Sequence, residues 1–113
     1  MTPLESTALF FKSLSEPVRL RILNLLMHAD SEICVCDLIL ILDVPQSVIS
    51  RHLAYLRKTN VVSARREGVW MHYSINPQLD SLSKSVLHAL KTGAVIDSIL
   101  CEDLLRQAQQ SGC

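Results

Sequence analysis

Residues 45–58, which read PQSVISRHLAYLRK, are the stretch that decides the fold of this 113-residue chain. Ile49, Leu53 and Leu56 recur at positions i, i+4 and i+7, so a helix would carry them on one face and bury them against a core. The stretch therefore predicts an amphipathic helix with a polar surface turned to solvent. The side chains of that polar surface are Gln46, Ser47, Ser50, Arg51 and Ala54.

The polar face of this helix has the chemistry of a surface that reads double-stranded DNA. Gln, Ser and Arg side chains hydrogen-bond to base edges, and small neighbouring residues let a helix approach the floor of the major groove. The helix is therefore a candidate recognition helix. The side chains that we expect at the major groove are Gln46, Ser47, Ser50 and Arg51, with His52 as a flanking contact.

A predicted β-hairpin follows this helix and carries two arginines. Residues 61–64 (VVSA) and 69–74 (VWMHYS) have the β-branched and aromatic composition of strands, and residues 65–68 (RREG) read as the turn between them. We call this hairpin, over about residues 61–75, the wing. Arg65 and Arg66 at its tip are placed to hold phosphate or to enter the minor groove.

Five further helices are predicted on either side of these two elements. Three lie before the recognition helix, over about residues 4–14, 15–28 and 36–42, and Ser15 is the expected N-cap of the second. Two lie after the wing, from about residue 78 towards 90 and over 95–108, with a break near Gly93. This order predicts a mainly α fold with a small β-hairpin, a winged helix-turn-helix in a single domain over residues 1–113.

Both terminal helices carry an apolar face that so small a module cannot bury alone. Proteins that read two-fold DNA sites are usually two-fold themselves, so we expect a homodimer formed through the terminal helices. The residues of these faces are Leu79, Leu82, Val86, Leu87, Leu90, Ile96, Ile99, Leu100 and Leu104.

The charge distribution is that expected for a small DNA-binding protein. The formal net charge is zero, but residues 44–75 hold five Lys or Arg against one Glu, a net charge of +4 between two acidic flanks. No apolar run reaches the roughly 20 residues that a bilayer span requires. The first residues lack the basic and apolar features of a signal peptide, so we expect a cytoplasmic protein whose cysteines stay reduced.

Cys34 and Cys36 are two thiols separated by one residue, in the stretch ICVCDL (residues 33–38). Thiolates are soft ligands, and such a pair favours arsenic, antimony, lead or cadmium over hard ions. The same pair could instead act as a redox switch, or be two reduced cysteines without a chemical role. A Cys-x-Cys disulfide would be strained, which argues against a structural crosslink.

Four motifs together resemble the ArsR/SmtB family of metal- and metalloid-responsive repressors. They are residues 11–23 (FKSLSEPVRLRIL), 33–38 (ICVCDL), 46–57 (QSVISRHLAYLR) and 66–73 (REGVWMHY). The CVCDL motif is similar to that of the arsenical-sensing branch. The resemblance implies a transcriptional repressor that binds operator DNA and releases it when As(III) or Sb(III) binds Cys34 and Cys36.

The chain departs from that branch at Ile39, where related arsenite sensors often place a third cysteine. Trivalent arsenic prefers three thiolates, so the possible third ligands are Cys101, Cys113 or a small cytosolic thiol. The zinc-sensor pattern of the family, Asp-x-His after the wing, is not matched, because Asp80 is followed by Ser81 and Leu82.

The spacing of the two cysteines predicts a mechanical effect if both lie in a helix. Side chains at i and i+2 of a helix point roughly 200° apart, so both sulfurs could bind one atom only if the first turn unwound. Such a distortion would disturb the recognition helix that packs beside it.

A small thiol-dependent reductase acting on arsenic compounds is the enzyme alternative. It would need a nucleophilic cysteine in an anion-binding loop, and the sequence contains neither a Gly-rich loop nor a Cys-x5-Arg spacing. The sequence therefore favours a regulator over an enzyme.

Overall fold

The computed structural model describes residues 1–29, 31–93 and 97–110. The predicted mainly α fold with a small β-hairpin is confirmed, although part of the predicted last helix, residues 95 and 96, lies outside the described residues. No helix in the described part is long and apolar enough to cross a membrane. The elements are α1 (Pro3–Leu14), α2 (Pro17–His28), β1 (Ile33–Cys34), α3 (Val35–Leu42), α4 (Gln46–Lys58), β2 (Val62–Glu67), β3 (Trp70–Ile75), α5 (Ser81–Gly93) and α6 (Ser98–Gln109).

The first two helices begin with side-chain caps, one of which differs from the prediction. In α1, the Thr2 hydroxyl accepts the Glu5 N–H and the Glu5 carboxylate accepts the Thr2 N–H, both at 3.1 Å. Ser15 was the wrong N-cap for α2, because it ends α1 instead. Glu16 has the extended backbone that a following proline favours, and its carboxylate accepts the Arg19 N–H at 2.9 Å.

The three strands form an antiparallel sheet in the order β1-β3-β2. The predicted hairpin is present, but β1 was not predicted from the sequence. In β1, Ile33 pairs with Tyr73 and Cys34 pairs with His72. The sheet therefore joins the first thiol directly to the return strand of the wing.

The turn of the wing lies later in the chain than predicted. Arg65 and Arg66 belong to β2, which continues to Glu67, and the loop consists of Gly68 and Val69 alone. Gly68 has a φ of +63°, a left-handed backbone that glycine adopts without steric cost, as a two-residue hairpin loop requires. The arginines therefore lie along a strand of the wing and not at its tip.

Helix α2 runs through the centre of the core. Ile22, Leu23 and Leu25 are fully buried, and α2 packs against α4, α5 and α6. The predicted apolar stripe of α4 is buried as well, which fixes the polar side of that helix outward.

Helix α6 lies across α2 and α3 and is fastened there by a buried carboxylate. Asp103 is fully buried and accepts hydrogen bonds from Nε and Nη2 of Arg21, each at 2.9 Å, and from Nη2 of Arg106 at 2.7 Å. Arg21 Nη2 also donates to the carbonyl of Leu42 at 3.0 Å, so α6 is tied through Arg21 to the end of α3.

Candidate nucleic-acid interface and thiol pair

The outer face of α4 presents the polar side chains that the sequence assigned to DNA. Asp43, with φ 53° and ψ 45°, forms the left-handed turn between α3 and α4 and completes a helix-turn-helix. The N-cap Pro45 contributes no side-chain hydrogen bond, so the first N–H groups of α4 have no side-chain cap. The exposed residues of this face are Gln46, Ser47, Ser50 and Arg51.

The start of α2 supports the inner side of α4 through Arg19. Its guanidinium stacks on the ring of Tyr55, with 4.3 Å between Cζ and the ring centroid. The same side chain donates from Nε to the carbonyl of Ser13 at 2.8 Å, which anchors it to the end of α1. The stacked pair therefore sets the position of α4 relative to the first two helices.

His52 faces the protein interior, whereas the sequence placed it as a flanking DNA contact. It is 8% exposed, and its Nε2 lies 3.6 Å from the Glu16 carboxylate while its Nδ1 lies 3.4 Å from Nη1 of Arg19. The physical reason is helical spacing: position 52 lies three residues after Ile49 and shares its core-facing side. His52 thus supports α4 from beneath and does not reach its outer surface.

The two arginines of the wing have different surroundings. Arg65 Nε donates to both carboxylate oxygens of Glu32, at 2.9 and 3.1 Å, and its Nη2 contacts Glu67 at 3.0 Å. The hydrogen bonds from Arg65 lower the pKa of the Glu32 carboxyl, and the two carboxylates raise the pKa of Arg65. Arg66 is exposed and makes no ion pair with the residues that the structure describes.

Cys34 and Cys36 lie side by side at the junction of β1 and α3. Their Sγ atoms are 2.6 Å apart, with Cys34 buried and Cys36 half-buried. Cys34 is the extended N-cap of α3, with φ −66° and ψ 141°, and it precedes the first helical residue. The condition for the predicted unwinding of α3 is therefore not met, because Cys34 lies outside the helix and the sulfurs already converge.

The described residues do not supply a complete metal site. No group of three or more His, Cys, Asp or Glu side chains that could hold a metal ion occurs among them. Cys101 lies half-buried on α6 and does not join the pair in such a group. Cys113, the other predicted third ligand, lies outside the described residues. Ile39, on α3, contributes no sulfur at the position where a third cysteine would be expected.

Sequence reasoning missed three polar side chains around the wing: Glu32, Glu67 and His72. The imidazole Nε2 of His72 lies 3.7 Å from the Glu67 carboxylate. These groups meet because β3 lies between β1 and β2, and β1 is too short for any periodic pattern to indicate it. The closely spaced acidic and basic residues at 65–67 were the only sequence signal of an ion-pair cluster.

Comparison with known proteins gives a consistent result. A model of the arsR family of bacterial regulatory proteins matches residues 16–64. The arsenic resistance transcriptional regulator ArsR2 of Pseudomonas putida is 46% identical over 71 residues, which are 63% of this chain and 61% of that protein. The match therefore spans less than two thirds of this relative's length.

Solved structures of similar proteins extend over more of the chain. The transcriptional repressor PagR of Bacillus anthracis is 34% identical with a TM-score of 0.63, covering 77% of this chain and 94% of that one. The homodimeric winged helix-turn-helix DNA-binding domain of Mb0332 from Mycobacterium bovis is 28% identical with a TM-score of 0.64, covering 82% and 79%. The family and the fold are those of DNA-binding transcriptional regulators, and the chain belongs to the ArsR family of bacterial regulatory proteins.

Proposed function

We propose that this protein is a homodimeric transcriptional repressor that releases double-stranded operator DNA when As(III) or Sb(III) binds Cys34 and Cys36. The observation that carries the proposal is the 2.6 Å approach of the two sulfurs. That pair stands at the start of α3, the first helix of the helix-turn-helix. A soft-ligand pair and a DNA-reading helix are thus two adjoining parts of one structural unit.

The DNA half of the proposal rests on the outer surface of α4 and the wing. The exposed amide, hydroxyl and guanidinium groups of α4 can contact base edges, while the basic segment 44–75 supplies attraction to phosphate. Arg66 is the wing arginine that forms no ion pair with the described residues, and it would contact the DNA backbone. The proposed base-reading and groove-contacting residues are Gln46, Ser47, Ser50 and Arg51.

The thiol half of the proposal rests on the chemistry of sulfur and on a converged geometry. Each As–S bond that forms from arsenous acid replaces an As–OH bond, and the thiol proton leaves with the hydroxyl as water. Both sulfurs must be reduced, and two soft thiolates favour arsenic or antimony over hard cations. A third sulfur would come from Cys101 of either subunit, from Cys113 or from a small thiol.

Dimer formation is proposed through α1 and α5, which leave large apolar side chains uncovered. Leu4, Phe11 and Leu82 are 79%, 47% and 48% exposed, and a partner subunit would remove these apolar side chains from water. A two-fold dimer would place two α4 helices on successive major grooves. Helix α6 packs on α2 and α3 of its own chain, and its Ile99 and Leu105 are 54% and 64% exposed, so it also offers apolar surface to the proposed interface.

Binding at the thiol pair can reach DNA through α3. An atom held by both sulfurs changes the spacing at the start of α3, and the Asp43 turn connects the other end of α3 to α4. Only a modest energetic difference is needed, because about 1.4 kcal/mol of coupling changes DNA affinity tenfold.

The test is fluorescence anisotropy of the reduced protein on a labelled duplex from its own promoter, titrated with arsenite and antimonite. Wild-type protein should dissociate, whereas Cys34→Ser, Cys34→Ala and Cys36→Ser proteins should bind DNA and remain bound. Cys101→Ser is the control that reports whether α6 supplies the third sulfur. Wild-type protein that binds the duplex and ignores both metalloids would refute the arsenical proposal.

The close approach of the sulfurs also favours a second candidate function, a regulator that responds to oxidation or to another soft metal. In that case an oxidant, cadmium or lead would release the DNA while arsenite would not. The same anisotropy assay distinguishes the candidates, because each effector is added separately to the same reduced complex.

A further inference from the structure

Arg65 is held between two carboxylates on the outer face of the wing. Its Nε donates to both carboxylate oxygens of Glu32, at 2.9 and 3.1 Å, and its Nη2 lies 2.8 Å from Oε1 of Glu32 and 3.0 Å from the Glu67 carboxylate. Paired in this way, the guanidinium has its charge compensated by protein. These contacts use Nε and Nη2 of Arg65, so a phosphate would have to compete with two carboxylates for the charge of the guanidinium.

The carboxylate that holds Arg65 belongs to the segment that carries the thiols. Glu32 immediately precedes β1 and lies two residues before Cys34. Cys34 and Arg65 also share a cross-strand partner, since each is in register with His72 of β3. Cys34, His72 and Arg65 therefore lie in one row across the three strands. The Glu32–Arg65 ion pair links the residue just before β1 to the arginine at the other end of that row.

Arg66, the next residue of β2, has a different position. It is in register with Met71 and lies on the opposite face of the hairpin from Arg65, because side chains alternate along a strand. Its side chain is exposed and forms no ion pair within the described ranges. Two adjacent arginines of equal charge thus differ in the face of the hairpin on which they lie and in whether carboxylates hold them.

We propose that Arg65 is a positioning residue that couples the thiol pair to the wing, and that Arg66 is the phosphate contact of the wing. The inference rests on the proposed function and extends it. A displacement of Cys34 on metalloid binding moves Glu32, which moves β2 through Arg65. The two-residue ladder of β1 and the packing of α3 on β3 also join the thiol segment to the wing.

The strength of this coupling is set by the exposure of the pair. Arg65 and Glu32 side chains are 52% and 33% exposed, so water and salt weaken their attraction. Loss of an exposed ion pair of this kind corresponds to a change of roughly 1.4- to fivefold in an equilibrium ratio. We expect the coupling ratio, the DNA dissociation constant with saturating arsenite divided by that without it, to fall by this factor.

The experiment compares Arg65→Gln, Glu32→Gln and Arg66→Gln proteins with wild type. DNA affinity is measured against salt concentration without metalloid, and the coupling ratio is then measured at one salt concentration. Arg66→Gln should lower the slope of log affinity against log salt by about one and keep the coupling ratio. Arg65→Gln and Glu32→Gln should keep the slope and lower the coupling ratio, although they change the net charge in opposite directions.

Each result decides a separate point. A salt slope reduced by about one in Arg65→Gln protein would make Arg65 a phosphate contact and overturn the inference. Unchanged coupling ratios in both Arg65→Gln and Glu32→Gln proteins would also overturn it, while a wild-type ratio well above one keeps the proposed function intact. A wild-type ratio of one would instead refute the proposed function, and the coupling role of Arg65 with it.

Discussion

Replacing Asp103 by asparagine should strongly destabilise the protein, because this carboxylate fastens α6 to α2. The fully buried side chain accepts three hydrogen bonds from two guanidinium groups. Asparagine keeps the shape but removes the negative charge, and its NH2 group can only oppose the donors of Arg21 and Arg106. The variant therefore leaves two cations without their counter-ion.

The size of the effect follows from how much of each partner water can reach. Removing one partner of a buried ion pair costs about 3–5 kcal/mol when the other partner stays buried. Here the side chains of Arg21 and Arg106 are 20% and 43% exposed and can be partly rehydrated. We therefore expect a loss of about 2–3 kcal/mol, against a total stability of about 5–15 kcal/mol for a domain of this size.

Urea unfolding of the reduced protein, followed by far-ultraviolet circular dichroism at one protein concentration, measures this loss. Glu102→Gln is the matched control, because Glu102 is the exposed neighbour on the same helix and its replacement should change stability by less than about 0.5 kcal/mol. A loss below about 1 kcal/mol in the Asp103→Asn protein would refute the reasoning, since it would mean that α6 does not depend on the buried carboxylate.

Three further predictions concern single turns and caps. Gly68→Ala should lower the free energy of unfolding by about 1–2 kcal/mol, because alanine is strained at a φ of +63°. An added Cβ would meet nothing within 4 Å, so no steric clash adds to this cost, and unchanged stability in urea unfolding would contradict the prediction. Thr2→Ala should cost about 1 kcal/mol by removing one half of the capping box of α1, and unchanged stability would show that the box is absent in solution. At the start of α5 the Ser83 N–H donates to the Asp80 carboxylate at 2.8 Å, and this hydrogen bond lowers the pKa of Asp80 below its ordinary 3.8. The bond to the ionised carboxylate is therefore complete above pH 3.8 and is lost as the pH falls through the lower pKa of the folded protein. The Ser83 amide resonance should therefore titrate below pH 3.8 and cease to do so in Asp80→Asn protein, and a midpoint above 3.8 would contradict the assignment.

The sequence predicted those parts of the fold whose pattern repeats along the chain. The stripe of Ile49, Leu53 and Leu56 predicted both the existence of α4 and the orientation of its polar face. Burying three side chains at helical spacing fixes the rotation of the helix about its axis, so the polar side must face outward. The wing strands were predicted from their composition, but the turn was predicted at residues 65–68 although β2 continues to Glu67. Charged residues at the end of a strand have the same composition as a turn, so composition alone did not distinguish the two.

The sequence did not predict features that depend on the register between distant segments. A two-residue strand such as β1 has no period to detect, so the extended backbone at Cys34 and its convergence with Cys36 were missed. The partners of Arg65 were missed for the same reason, because Glu32 meets it only after three strands have aligned. Such contacts are specified by tertiary packing and not by local preference.

The N-cap position of α3 has an evolutionary implication. Cys34 occupies it without forming a side-chain capping hydrogen bond, whereas serine is among the residues that cap helices best. A Cys34→Ser protein should therefore have a more stable start of α3, by up to about 1 kcal/mol. Selection for stability alone would favour serine at this position. Cysteine at this position provides the reactivity of sulfur at the cost of a weaker helix start, as is expected where function and stability conflict.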